Sequence, residues 1–419
     1  MSKAIQDVIV IGAGVIGIST ALELQSRGRN VQVIDPAGIG KGASFGNAGA
    51  FAFSDVLPLA TPRIMRKAPF WLFDPLGPLS VPPAHGLHIA PWLWKFWRAS
   101  RPVNFAKAVI AQVSLMGLAR AAHERQIART DGAHLILREG QLQLYSNKQS
   151  FQASLPDWEL RRQHGIRFDL VEHTDALARI QPGLNHSFQY GVFTPDWMNT
   201  VNPKTWVDHL ARCFLQRGGT VERAQAFAIE SQANGVAVLT DGALFKAQQV
   251  VVATGAHSKI LAHSLGDDIP LETERGYNTT LPSGAFDLRT QLTFADHGFV
   301  VSKLDEGVRV GGSVELGGLK APANFKRADH MLKKAARFLP NLNTGGGAQW
   351  MGFRPSLPDS LPVISHARAT RNVVYAFGHG HLGLTQSAAT AEIVADLLSK
   401  GSSSIPMAPF SAARFAKKA

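Results

Sequence analysis

Val8 to Ile11 is an unbroken apolar, β-branched run, the pattern of a parallel strand covered on both faces. From Ile16 to Leu24 the apolar positions recur at helical spacing, and Arg27-Gly28 closes that helix with a basic last turn and a C-terminal glycine. Val31 to Ile34 is a second apolar strand, ending on Asp35 and Pro36. Between the first strand and the helix stands Gly12-Ala13-Gly14-Val15-Ile16-Gly17.

Further along, the glycine-rich stretch from Gly38 to Gly49 predicts a loop, and residues 55 to 90, rich in proline, predict irregular chain. Pro91 opens a long helical region to about Thr130. Leu135 to Tyr145 alternates as a hairpin around Arg138 to Gly140. A helix over Phe151 to His164, a strand over Phe168 to Glu172, a short helix over Asp175 to Ile180 and an edge strand at Gly191 to Asp196 follow. Asn202-Pro203 starts a helix running to Arg217. Ala224 to Glu230, Gly235 to Thr240 and Leu244 to Ala247 form a meander, and Gln249 to Val252 is a strand finishing on Ala253-Thr254-Gly255. From Pro270 to Pro340 strands dominate (Glu274 to Tyr277, Gln291 to Phe294, Gly298 to Ser302, Gly307 to Val310), predicting an antiparallel wall followed by a helix from Asn324 to Phe338. Asn372 to Phe377 is a last strand, Gly378 to Thr385 a glycine turn, and Gln386 to Ser399 a helix.

The first segment has the order a dinucleotide site needs. Gly12 permits a tight turn, Gly14 lets backbone approach a pyrophosphate, and Gly17 lets the helix lie close on the sheet. The helix N-terminus offers free N–H groups to phosphate. Asp35 stands where a carboxylate can accept from ribose hydroxyls. Ser44 and Asn47 are donors in the following loop, and the small residues at 253–255 let backbone pass beside the same ligand.

At 419 residues, two interwoven domains are expected, and 45% hydrophobic with 18% charged residues excludes a disordered or fibrous chain. The one cysteine, Cys213, excludes an internal disulfide framework and any CxxC metal site, so no metal is expected and a reducing, cytoplasmic setting is. The start MSKAIQDVIV carries no secretory pattern, and no uninterrupted apolar run spans a bilayer. The net charge of +12 is dispersed apart from Arg414 to Lys418, reading as a solvated surface rather than a nucleic-acid site. Four aromatic residues between Pro91 and Arg98 read as core packing, with a membrane-facing wedge at the inner face of the membrane as the alternative.

The motifs GAGVIG (12–17), SFGNAG (44–49), ATGA (253–256), ERGY (274–277), GFRPSLPDSLPVI (352–364) and GHGHLGLT (378–385) together resemble the glutathione-reductase-type flavoproteins, and more narrowly the D-amino-acid dehydrogenase branch of the D-amino-acid oxidase family, over nearly the whole chain. The resemblance implies an α/β fold, in which a Rossmann-type FAD-binding domain (1–55, 200–268, 345–419) is interwoven with an α+β substrate domain on a mostly antiparallel sheet (56–199, 269–344). It implies tightly but non-covalently held FAD, with cofactor contacts at Gly12, Gly14, Val15, Ile16, Gly17, Asp35, Pro36, Ser44, Asn47, Ala48, Gly49, Ala226, Ala253, Thr254, Gly255, Gly378, Gly380, His381, Leu382, Gly383, Leu384 and Thr385.

It further implies oxidation of a D-amino acid, D-proline and hydroxy-D-proline included, with electrons passing to a respiratory or quinone-type acceptor. Arg354 matches the family arginine that grips the substrate carboxylate, Tyr277 a neighbouring hydroxyl, and His379 borders the flavin turn as a third catalytic candidate. Two departures, His257 where many relatives have tryptophan and the absence of arginine from Gly40 to Ala43, leave substrate size and acceptor open. A peroxide-forming glycine or sarcosine-type oxidase and a non-catalytic subunit of an electron-transfer complex are the alternatives.

Overall fold

Along the first strand, Gln6–Ile11, successive side chains enter two different cores, which is why its sequence shows no polar alternation. Val8 and Val10 pack with helices Val15–Ser26 and Gly383–Leu398, whereas Ile9 and Ile11 pack on the opposite face with Val250, Val252 and Tyr375. The computed structural model describes residues 6–63, 77, 79–399 and 401–416. Part of the proline-rich stretch, and Lys417 and Lys418 of the basic tail, lie outside them.

The first strand runs parallel to Val31–Ile34 on one side and to Leu244–Val252 on the other. Thr220–Glu222 extends this sheet beyond Val31–Ile34. Leu244–Val252 is one continuous strand rather than the two read from sequence. Residues 244–247 of it pair antiparallel within the meander, and residues 250–252 pair parallel with Val373–Phe377.

A second sheet runs, in spatial order, through Ala348–Ser356, Glu272–Pro282, Gly307–Glu315, Phe299–Leu304, Gln291–Phe294, Gln141–Tyr145, Tyr190–Thr194 and Asp169–Glu172. Its pairings are antiparallel except those of Gln291–Phe294 with Gln141–Tyr145 and of Leu79–Ser80 with Gly307–Glu315. Helix Lys326–Phe338 covers one face, burying Ala328, Met331 and Ala335 against Tyr277, Leu281 and Val310.

Four further elements differ from the sequence reading. The expected hairpin at 135–145 does not form, because Ile136–Leu137 joins a small sheet with Met198–Thr200 and Ala50–Phe51, while Gln141–Tyr145 enters the large one. Gly140, at φ +71° with Phe193 packed against its Cα, turns the chain between them. Tyr190–Thr194 is not an edge strand, since Asp169–Glu172 pairs outside it. The aromatic region is two helices, Gly86–Ala99 and Pro102–Thr130, parted at Ser100 and Arg101. Finally, Ala348–Ser356 is a strand that pairs throughout with Glu272–Pro282, so GFRP belongs to the second sheet. Pro355 is tolerated there because the strand is at the edge of the sheet.

Helix Pro102–Thr130 is, among the described residues, long and apolar enough to cross a bilayer by length and composition. One side of it packs Leu115, Ala119 and Ala122 into the core shared with Gly383–Leu398. In the preceding helix Trp92 and Phe96 stack inward, with ring centroids 5.3 Å apart, while Trp94 and Trp97 face outward under Arg98 and Arg101.

Candidate functional site

The glycine turn after the first strand is locked from two sides. Gly12 has φ +109°, and a Cβ there would stand 2.4 Å from the Ala253 carbonyl oxygen. Gly14 is the N-cap of helix Val15–Ser26 and brings no side chain to it, and the Val15 amide donates to Ser44 Oγ at 2.9 Å. The helix N-terminus, with Val15, Ile16 and Gly17 in its first turn, therefore faces the SFGNAG loop. Asp35 accepts from the Ala13 amide through Oδ2, and from the Ala37 and Gly38 amides through Oδ1, so its carboxylate braces the turn around Pro36. Three of its roughly four acceptor positions are used, which leaves room for a ribose hydroxyl.

In the loop, Asn47 Oδ1 accepts from the Gly49 amide at 2.8 Å, and the Asn47 carbonyl accepts from Arg309 Nη1 at 2.7 Å, tying Ala48 and its neighbours to the second sheet. Ala253, Thr254 and Gly255 form the turn that Gly12 abuts, with Thr254 Oγ1 bonded to Ser258 Oγ at 2.9 Å. Ala226 opens a neighbouring strand at a β-bulge. Gly378 and Gly380 both have positive φ and lead through Leu382 into helix Gly383–Leu398. Thr385 Oγ1 accepts from the Ala52 amide, and His123 Nε2 lies 3.1 and 3.0 Å from the Leu384 and Thr385 carbonyls. Two acceptors require the proton on Nε2, and burial drives His123 down to about 4, so it stays neutral. Sequence reasoning missed His123, which lies within an ordinary helical pattern.

Between these segments and the second sheet is a cavity of about 380 Å³. Glu274, Gly276 and Asn278 face it from one strand, and Trp350, Gly352 and Arg354 from the edge strand beside it. The Arg354 guanidinium lies across Gly276, where a Cβ would meet Nη2 at 2.3 Å. Its Nη1 donates to the Ser313 carbonyl at 2.9 Å, the one hydrogen bond it makes among the described residues. Ser313 has φ +61° at the β-bulge opposite Arg275 and Tyr277, which is how a strand carbonyl comes to be aimed at the guanidinium. Burial pushes the Arg354 pKa down and the nearby Glu274 carboxylate pulls it up, with a net lowering. A cation so placed, lining a cavity with one hydrogen bond among the described residues, is a receptor for a planar anion.

Two catalytic candidates commit their side-chain polar atoms to protein partners, although Tyr277 is among the residues that line the cavity. Tyr277 is on the other face of its strand, donates to Glu315 Oε2 at 2.5 Å and accepts from the Asn324 amide at 3.1 Å. Alternation along a strand of 11 residues explains this, since the cavity face belongs to Glu274, Gly276 and Asn278. Tyr277→Phe is therefore expected to lower stability by about 1–3 kcal/mol, leaving Glu315 and Asn324 short of a partner. Substrate affinity should stay within about twofold in a titration of flavin reduction; an increase in KM well beyond that would return the hydroxyl to the substrate. His379 is buried, bonded through Nε2 to Thr390 Oγ1 at 3.0 Å and driven by burial to about 3, so it is a neutral packing residue of the turn. His381 instead reaches the cavity mouth, with Nε2 3.0 Å from Asp55 Oδ2. Burial raises the Asp55 pKa, but His381 and Arg161 together hold it below the usual carboxylate range.

Cys213 lies against the Thr130 carbonyl in helix Pro203–Gln216, remote in sequence from the 352–385 segment, and is the chain's one cysteine. The glycine turns, the helix N-terminus and the cavity fit a non-covalent FAD: the first let backbone come close to a pyrophosphate and the last leaves space for a ring system.

The model of the FAD dependent oxidoreductase family matches residues 7–397. A D-amino-acid oxidase of Bradyrhizobium diazoefficiens is 36% identical over 97% of this chain and 98% of its own length. A D-amino acid dehydrogenase of Rhizobium rhizogenes is 29% identical over 97% of this chain and 99% of its own. Among solved structures, glycine oxidase from Geobacillus kaustophilus superposes with a TM-score of 0.79 at 19% identity, covering 98% of this chain and 99% of that one. L-proline dehydrogenase from P. horikoshii gives 0.76 at 18% identity, covering 99% and 98%.

Proposed function

The chain belongs to the family of FAD dependent oxidoreductases, and from that premise we propose that it oxidises the Cα–N bond of a D-amino acid, with D-proline and hydroxy-D-proline among the candidates. The observation that carries this reading is Arg354, a half-buried guanidinium at the cavity wall with a single hydrogen bond among the described residues. An α-carboxylate supplies the two parallel acceptors such a fork lacks. Gly276 and Gly352 leave the room that the Arg354 guanidinium and the Trp350 ring occupy, which seats the arginine against its strand beside a large ring at the cavity wall. When bound, FAD supplies the two-electron acceptor for the hydride that leaves Cα. The residues of this chain have to hold the carboxylate, exclude water and leave the amine unprotonated, and none of those tasks needs a side-chain acid or base. The product is an imine, hydrolysed to a 2-oxo acid and ammonia, or retained as a cyclic imine.

Electron delivery to a respiratory or quinone-type acceptor is the first reading, supported by the relatives named dehydrogenases. Exposed Leu87, Trp94 and Trp97 beside Lys95, Arg98 and Arg101 support a peripheral membrane contact for that step. Direct use of oxygen is the second reading, favoured by the Bradyrhizobium relative named an oxidase.

The test is anaerobic flavin bleaching by a panel of D- and L-amino acids, glycine and sarcosine. Bleaching by D-isomers is expected, and none by any D-isomer would end the reading. Peroxide formed in step with substrate under air would select oxygen as acceptor.

A further inference from the structure

Outside the cavity, the turn Pro83–His85, the helix it leads into and the first residue of strand Glu272–Pro282 bring together two imidazoles and a carboxylate. The ligand atoms of His85, His88 and Glu272 all lie within 4.8 Å of one another. We propose that these three residues form a site for a divalent transition-metal ion, with water completing the coordination.

Three observations carry this. First, His85 Nε2 is buried and has no hydrogen-bond partner among the described residues, and at 3.7 Å from Glu272 Oε2 it is too far for one. A buried nitrogen lone pair or N–H without a partner is rare and calls for an ion or water. Second, the spacing is that of ligands. Donors held at about 2.1 Å from one tetrahedral ion stand about 3.4 Å apart, so the His85–Glu272 separation is nearly correct and the widest gap closes by side-chain rotation. His88 is exposed and turns freely, and the i, i+3 spacing puts both histidines on one side of the turn. Third, the pocket for the ring is built: Gly318, at φ +61°, lies where a Cβ would come within 3.0 Å of His85 Cε1.

Two imidazoles with ring centroids 4.9 Å apart beside one carboxylate suit Zn2+, Ni2+ or Cu2+, rather than Mg2+ or Ca2+, which take oxygen. Glu272 is two residues from Glu274 on the strand that forms the cavity wall. A bound ion would clasp helix Gly86–Ala99 to that wall and hold the strand bearing Glu274 and Gly276 in place.

The experiment uses the flavin-loaded protein, stripped with a chelator and dialysed against Zn2+, with bound metal counted by elemental analysis. One equivalent per chain at micromolar free Zn2+ is expected, with a rise in Tm that the stripped protein lacks. Binding should weaken in acid, since imidazole ligates only when neutral. His88→Ala changes a surface residue and Glu272→Gln keeps its shape, so both should fold, and each should weaken Zn2+ binding at least tenfold. Failure of the native protein to bind Zn2+, or a smaller loss in either variant, overturns the site. Flavin bleaching by amino acids is read in the same samples, so loss of the metal is distinguishable from loss of the oxidoreductase activity.

Discussion

Arg354→Ala is expected to lower kcat/KM for the preferred amino acid by about a thousandfold. Two charge-assisted hydrogen bonds to a carboxylate are together worth about 4 kcal/mol, and each 1.4 kcal/mol is a factor of ten. Both terms should move: KM rises because the grip is lost in the ground state, and the rate of flavin reduction falls because Cα is no longer held at a fixed angle. Folding should suffer little, because burial penalises this cation by more than the Glu274 carboxylate offsets, and among the described residues its one hydrogen bond is to the Ser313 carbonyl. An unchanged or raised Tm beside a collapsed kcat/KM separates a substrate role from a structural one. Arg354→Lys should recover little, since a single ammonium cannot span both carboxylate oxygens. Native affinity in the alanine variant would remove Arg354 from the substrate.

Gly17→Ala should yield protein that is colourless or insoluble. The added Cβ would stand 1.8 Å from the Gly12 carbonyl oxygen and 3.4 Å from Val10 Cγ1. Gly12 cannot retreat, because its own Cα is against the Ala253 carbonyl. The clash is backbone on backbone, with no rotamer to relieve it, so the helix must lift off the sheet at the end where the phosphates are received. Overpacking commonly costs about 1–3 kcal/mol even where side chains can adjust, and more is expected here. The ratio of flavin to protein absorbance after purification is the readout; a wild-type ratio would mean that the turn does not hold the cofactor.

The dinucleotide segment was legible because its constraints are local. Strand, glycines, helix and acidic terminus follow one another within residues 8 to 35, and Gly17 answers the Gly12 carbonyl close by while Gly12 answers the Ala253 carbonyl at the end of the strand beside it. Arg354 was legible as chemistry but not as structure, because Pro355 hides the edge strand Ala348–Ser356 that carries it. Tyr277 was assigned to the wrong face for a related reason. Reading Glu274 to Tyr277 as a short strand gave no register, whereas the full strand to Pro282 would have put Gly276 under the arginine and Tyr277 behind it. His379 was misjudged because a histidine in a glycine turn shows its neighbours in sequence but not Thr390, one helical stretch later, which takes its ring nitrogen. Glu274, Ser313 and Trp350 were missed altogether, since their place at the cavity depends on pairing between distant strands.

The strand Leu244–Val252 takes its parallel partners from opposite directions along the chain, Gln6–Ile11 behind it and Val373–Phe377 ahead. During synthesis, the glycine turn near the N-terminus is therefore made long before the strands that flank it, and it waits with its apolar neighbours uncovered. The nucleotide cradle closes only after residue 377 has left the ribosome. Flavin capture in this architecture therefore comes late in synthesis, after the cradle's most distant strand has been made.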